Sequence, residues 1–387
     1  MNLVRKQCPS YSSLIFMIFY TAFVNFAWAA GEGPDFTHAQ PVIADDGNTQ
    51  KNLKQAPFEG LHTTILYGAN GLVRTDSSKV FALYGGTGAN SRTYGIGTSL
   101  AHIANKIYKL KGDPIGFLNP QYFGDDKPDL QRSEFVKKFG NLEAQEAWMA
   151  ATLEYVVSQA GKKPVWVATR STGTAVLMQL IRDYLRGKPE AKVIGSISGV
   201  LLTGILPHEE KQFTRWLALE KSHLMEKGFA DEEVIDHESS IFLPMDFAPL
   251  VASTPIVNPG VTTLPKILAI VGANDPLTPA VDQLLLLQKY SELHPQLDIS
   301  VLATDVYHNS ASSLRYTDTS GMEVKLRTME RMGPIIQEVM AQTDSPPSAG
   351  LHLYADSAFW KVPGSCQAPL AVSLLAGARP WPPGKTP

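Results

Sequence analysis

Two patterns predict an α/β protein, with a mostly parallel central sheet flanked by helices and an inserted helical cap. Short apolar, β-branched runs alternate with stretches of helical periodicity between residues 79 and 342, as expected of parallel strands joined by crossover helices. The alternation breaks over residues 202–263, where amphipathic pieces, acidic clusters and prolines read as an insertion between two core strands. The chain has 387 residues, 44% hydrophobic and 18% charged. That is ordinary for a globular protein and enough for one large domain or two modest ones.

The first 29 residues read as a removable leader. Arg5 and Lys6 precede an apolar run from Leu14 to Trp28, and Ala27-Trp28-Ala29 has the A-x-A form of a cleavage site. A retained membrane anchor is the alternative, but the run is short for a span and Asn25 interrupts it. Removal after Ala29 predicts an exported chain, periplasmic or secreted, with no stable membrane anchor. Cys8 leaves with the leader and Cys366 stays alone, so no disulfide framework is expected despite export. Acids outnumber bases 37 to 34, without a long basic run, so nucleic acid is not an expected partner.

Residues 30–60 are polar, with scattered Gly, Pro, Asn and Asp, and read as an irregular arm. The core is expected over 61–201 and 264–343. Short strands are predicted at 62–67 and 71–75, and a stronger one at Lys79–Tyr84. The latter runs into Gly85-Gly86-Thr87-Gly88-Ala89-Asn90-Ser91 and then a helical stretch at 100–110. That glycine-rich loop fits neither nucleotide motif: it lacks the Gly-Lys-Ser/Thr ending of a P-loop, and Ser91 stands where a dinucleotide fingerprint needs glycine. Its free backbone N–H groups suit an oxyanion instead.

A strand follows at 115–118, and then a helix at 141–160. Met149, Leu153, Val156, Val157 and Ala160 form the apolar face of that helix, and Gly161 stops it. Pro164-Val165-Trp166-Val167-Ala168 reads as a buried strand. From Thr174 the pattern turns helical, with Leu177, Leu180, Ile181, Tyr184 and Leu185 on one stripe. Only a sharp turn fits between them, and Ser171 sits on it. Such a turn strains the serine backbone and presents its hydroxyl to a base, at a helix N-terminus that favours an oxyanion. Equally, Ser171 and Thr172 are good residues for simply capping that helix.

A strand is predicted at 192–197 and another at 266–271. Gly272-Ala273-Asn274-Asp275-Pro276-Leu277-Thr278-Pro279 follows, then a helix at 281–293, a strand at 297–303 and a loop carrying Tyr307-His308-Asn309-Ser310. A last helix is expected at 323–342. Residues 344–387, rich in Pro, Gly and Ser, read as an appendage.

Ser171, Asp275 and His308 each follow a predicted core strand, so a parallel sheet brings all three to its carboxyl edge. Serine needs an imidazole to take its proton, and the imidazole needs a carboxylate to fix its tautomer. Asp305 is close enough to His308 in sequence to compete as that carboxylate, and Asp275-Pro276 is also an ordinary turn opener. No His-x-x-x-His pair exists, and one mature cysteine builds no thiolate cluster, so no metal site is expected.

On these residues the chain resembles the α/β-hydrolase superfamily over 80–342. Thr169-Arg170-Ser171-Thr172-Gly173 is similar to its G-x-S-x-G elbow, and Tyr84-Gly85-Gly86 to its His-Gly-Gly oxyanion loop. Residues 272–279 resemble its G-x-x-D-x-x-x-P acid loop, and His308 stands in the late loop before the last helix. The stretch 119–126 looks like its D-x-R-G-x-G-x-S turn with the arginine replaced. The resemblance implies Ser171 as nucleophile, Asp275 as acid and His308 as base. It also implies an oxyanion hole from the backbone N–H groups of Thr172 and Gly86, or of Thr87 if the loop is shifted. Thr169 in place of the first elbow glycine, and Tyr84 in place of histidine, depart from the pattern without removing a reacting group.

The expected activity is that of a cofactor-free serine hydrolase acting on a small carboxylic ester or related acyl compound. A peptidase or thioesterase with the same triad is the alternative, as is an inactive binding protein on the same fold. The insertion at 202–263 is expected to be a lid, or else a plain surface excursion. Oligomeric state is left open.

Overall fold

The computed structural model describes residues 40–43, 49–58, 61–67, 79–84, 115–120, 142–205, 255–275, 278–305, 348–356, 359 and 373–381. The strands are β1 (Gln40–Ile43), β2 (Thr49–Phe58), β3 (Leu61–Tyr67), β4 (Lys79–Tyr84), β5 (Ile115–Pro120), β6 (Val165–Arg170), β7 (Gly199–Thr203), β8 (Lys266–Gly272), β9 (Asp298–Thr304), β10 (Gly350–Asp356) and β11 (Arg379–Trp381). Three α-helices are described: α1 (Leu142–Ala160), α2 (Thr172–Leu185) and α3 (Ala280–Leu293).

The strands form a single sheet in the order β1-β2-β3-β5-β4-β6-β7-β8-β9-β10-β11. The first three and β5 pair antiparallel. From β5 through β11 every pairing is parallel. The expected α/β class, with a mostly parallel central sheet and flanking helices, is therefore the one observed. A continuous register runs through Tyr84, Thr169, Leu202, Ala269 and Val301, so the carboxyl ends of β4, β6, β7, β8 and β9 share one edge.

The strand order also locates a crevice. The chain leaves β4 toward β5 on one side, then returns past β4 to β6 and steps onward to β7, β8 and β9. Connections that step in opposite directions cross opposite faces of a sheet, and a cleft opens at the carboxyl ends where the direction reverses. Here that point lies between β4 and β6. The crossovers carrying α1, α2 and α3 step the same way and share a face. Accordingly the Tyr290 hydroxyl of α3 donates to the Met178 carbonyl of α2 at 2.7 Å.

The helices form for the reasons their sequences give. Met149, Leu153, Val156 and Ala160 of α1 are buried, and so are Leu177, Leu180, Ile181 and Leu185 of α2. Gly161 ends α1 at φ 61°, a conformation that costs glycine little. Gly187, at φ 81°, similarly follows the end of α2. Strands β7 and β8 are buried along their whole length, as expected of central parallel strands covered on both faces.

Four readings differ from the sequence expectation. The apolar run at 192–197 is not a strand: Pro189–Ser196 is a 3-10 helix that buries Ala191, Val193 and Ile194, and the strand begins at Gly199. A short apolar run is equally compatible with a buried helical turn. The glycine that opens the strand is set by its neighbour, because a Cβ at Gly199 would lie 2.5 Å from the Trp166 ring on β6. Strand β7 extends to Thr203, into the stretch read as the start of the insertion. The arm at 30–60 contributes β1 and β2, and the C-terminal appendage adds β10 and β11 to the sheet edge. The expected strand at 71–75, helices at 100–110 and 323–342, and the insertion between 206 and 254 lie outside the described residues.

Candidate active site

Strand β6 ends at Arg170 and α2 begins at Thr172, leaving Ser171 alone to make the turn. Its backbone is at φ 54°, ψ −122°, outside the regions open to L-residues. No other non-glycine residue has a positive φ among those described. Strain of this kind costs about 1–3 kcal/mol and persists only where the surroundings impose it. Ser171 occupies the N-cap position of α2, yet its side chain makes no capping hydrogen bond. The capping role, which would explain the serine without chemistry, is therefore not the one its hydroxyl plays. The Ser171 carbonyl accepts the first intrahelical bond, from the Thr174 N–H at 2.9 Å, and the N–H groups of Thr172 and Gly173 before it point toward this end of the helix.

Buried hydroxyls fix the turn from behind. Thr169, Thr174 and Thr203 are 2%, 0% and 3% exposed. The Ser171 N–H donates to the Thr203 carbonyl at 3.0 Å, and the Thr174 hydroxyl donates to the same carbonyl at 3.0 Å. The Thr203 hydroxyl donates to the Thr169 carbonyl at 2.9 Å. Thr169, which stands where the resembling motif has glycine, brings its Oγ1 within 3.0 Å of the Thr174 Oγ1. The extra side chain is accommodated by hydrogen bonding.

Asp275 lies just beyond β8, two strands over from β6, which is about 10 Å between strand axes. It is buried, and its carboxylate is held from its own loop and from α3. The Thr278 N–H donates to Oδ1 at 2.9 Å and the Thr278 hydroxyl to Oδ2 at 2.6 Å. The Gln283 amide donates to Oδ2 at 3.2 Å, and also to the Thr278 carbonyl. These bonds make Asp275 the opener of the turn into α3 and at the same time fix the plane of its carboxylate. Nothing in the sequence motif singled out Gln283; it is reached only through the helical turn that folds it back over Thr278.

The neighbouring loop leaves β9 at Asp305. The Thr304 hydroxyl donates to Asp305 Oδ1 at 3.3 Å, and the Asn274 side-chain amide donates to the Asp305 carbonyl at 2.7 Å. The residue beside Asp275 thus ties the acid loop to the segment that leads toward His308. His308, Gly86 and Thr87 lie outside the described residues, as does the stretch 121–126. The backbone of Thr172 is the first residue of α2, immediately beside Ser171.

Tyr84 ends β4, directly before Gly85. Its ring meets Trp148 of α1 edge-on at 5.9 Å. Its hydroxyl lies 2.6 Å from Thr152 Oγ1, which lies 3.0 Å from the Trp148 and Met149 carbonyls of α1. Burial pushes its pKa far above the ordinary tyrosine value. Tyr84 is a neutral anchor that pins the end of β4 to α1.

No family model matches the sequence, and no curated protein does. Among solved structures, an esterase of Pyrococcus furiosus is similar at 12% identity and TM-score 0.40, covering 76% of this chain and 89% of its own. The esterase Est2 of Thermogutta terrifontis, with butyrate bound, is similar at 12% identity and TM-score 0.43, covering 78% and 94%. Mouse alpha/beta hydrolase domain-containing protein 10 is similar at 10% identity and TM-score 0.41, covering 74% and 99%. Each likeness is too slight to bear on chemistry. The chain's own topology, with a strained serine between β6 and α2 at the reversal point of a parallel sheet, is the architecture of the α/β-hydrolase fold.

Proposed function

We propose that this chain is an exported serine hydrolase that cleaves a carboxylic ester or related acyl compound through an acyl-enzyme on Ser171. The observation that carries the reading is Ser171 itself: the one described non-glycine residue at positive φ, set at a helix N-terminus, with a hydroxyl that caps nothing. A chain that needed only a cap would not hold its serine in a strained conformation.

In this reading the imidazole of His308 takes the Ser171 proton as Oγ attacks the acyl carbon. The tetrahedral oxyanion is met by the N–H groups of Thr172 and Gly86. Collapse breaks the bond to the leaving group, which departs with the proton from His308. Water, deprotonated by the same imidazole, then releases the acid and restores Ser171. Asp275 keeps the imidazole in the required tautomer; the three donors on its carboxylate would hold it in place for that role. The insertion between β7 and β8 is read as a lid over the acyl pocket.

A panel of p-nitrophenyl esters, amides and thioesters tests the reading. Esters should turn over fastest, and Ser171→Ala or His308→Ala should each lower turnover by several orders of magnitude, to similar residual rates. Near-normal ester turnover by Ser171→Ala would exclude an acyl-enzyme at this residue. Faster amides or thioesters would move the assignment to a peptidase or thioesterase.

A further inference from the structure

The hydroxyls behind the elbow form a closed ring when their protons are assigned. Each threonine has one proton to give. That of Thr203 goes to the Thr169 carbonyl and that of Thr174 to the Thr203 carbonyl. The Thr169 proton is left with two acceptors, Thr174 Oγ1 at 3.0 Å and the Leu201 carbonyl at 3.4 Å, and the shorter bond takes it. The cycle then runs from the Thr169 side chain to the Thr174 side chain, to the Thr203 main chain, and through the Thr203 side chain back to the Thr169 main chain.

This ring ties together the three elements that meet at the serine, β6, α2 and β7. Thr169 is two residues before it on β6, Thr174 three residues after it on α2, and Thr203 is across the sheet on β7, paired in register with Arg170. The Thr203 carbonyl, which accepts the Thr174 proton in the ring, is also the acceptor of the Ser171 N–H at 3.0 Å. We propose that Thr169, Thr174 and Thr203 are positioning residues, a hydroxyl clamp that holds Ser171 at φ 54° and so places its Oγ for attack. This inference rests on the function proposed above. It assigns to Thr169 a task that the glycine of the resembling motif cannot perform, since glycine has no hydroxyl to reach across the turn.

The clamp acts on geometry at the reacting atom, so its loss should appear in kcat with little change in KM. Small displacements of a reacting group cost up to about 100-fold in rate. In hydrolysis of p-nitrophenyl acetate, Thr174→Val should lower kcat by about 10- to 100-fold with KM within about threefold, and should slow fluorophosphonate labelling of Ser171 in proportion. Thr174→Ser, which restores the hydroxyl, should recover most of both. If Thr174→Val does not fold, Thr203→Val and Thr203→Ser provide the same comparison on β7. A valine variant that melts earlier yet keeps wild-type kcat and labelling rate at a temperature where it is folded would overturn the clamp alone. A wild-type chain that neither turns over the ester nor labels at Ser171 would overturn the proposed function, and the clamp with it.

Discussion

Replacing Ser171 with glycine should stabilise the protein relative to replacing it with alanine. Both changes remove the hydroxyl, so any reactivity of the serine drops out of the comparison. The difference that remains is backbone strain at φ 54°, ψ −122°. Alanine keeps a Cβ and the strain of about 1–3 kcal/mol that goes with it. Glycine loses that strain but gives up about 0.5–1 kcal/mol through the greater freedom of its unfolded chain. The net expectation is a Ser171→Gly protein more stable than Ser171→Ala by about 0.5–2 kcal/mol. At about 2 °C per kcal/mol for a domain of this size, the melting temperature should rise by roughly 1–4 °C. Parallel thermal melts at one protein concentration and scan rate decide it, with urea midpoints as a check on the order. Equal stability, or a less stable glycine variant, would refute the claim that the elbow is strained and remove the observation on which Ser171's assignment depends.

Two further outcomes are expected. His294 caps α3 with its ring fully buried edge-on to Tyr290, and neither ring nitrogen has a hydrogen-bond partner among the described residues. Burial, helped by the Arg182 and Arg186 charges, lowers its pKa to about 4. The unfolded histidine binds its proton near pH 6.5 while the folded one does not, so stability should be full above that pH and fall between pH 6.5 and 4, by at most about 1.4 kcal/mol per unit. His294→Leu should flatten this part of the profile of urea midpoint against pH; an unchanged slope would contradict the assignment. In the lid reading of the insertion, its apolar residues Phe242, Met245 and Phe247 would line an acyl pocket, so shortening any of them should alter the preference among acyl chain lengths by about 1–3 kcal/mol per pocket contact. If those variants only lose thermal stability while relative ester rates stay fixed, the segment is cover and not a lid.

What the sequence revealed follows from how local each signal is. Strand β4 is legible to the residue because an apolar run is bounded by a glycine-rich loop, and α1 because a long apolar stripe ends at Gly161. The error at 192–197 arose where a six-residue apolar run carries no period, while the real strand opens with a glycine that Trp166 on the neighbouring strand requires. Strands β10 and β11 lie among Pro- and Gly-rich flanks and gain their place only by pairing with β9 and each other. Of the candidate site, the places of Ser171 just after β6 and of Asp275 in the loop after β8 were legible because each follows an apolar core strand. The hydroxyl ring was not, since Thr203 meets Thr169 and Thr174 only through the register of β7 on β6. Gln283 was hidden likewise, because its contact with Asp275 depends on how the loop enters α3.

The most direct test of the central claim is covalent labelling with a fluorophosphonate, followed by peptide mapping. The wild-type protein should take up one probe per chain, on Ser171, and Ser171→Ala none. His308→Ala should label far more slowly, because an unassisted serine hydroxyl is a poor nucleophile. A folded wild-type protein that remains unlabelled, or that carries the probe on another residue, would contradict the account.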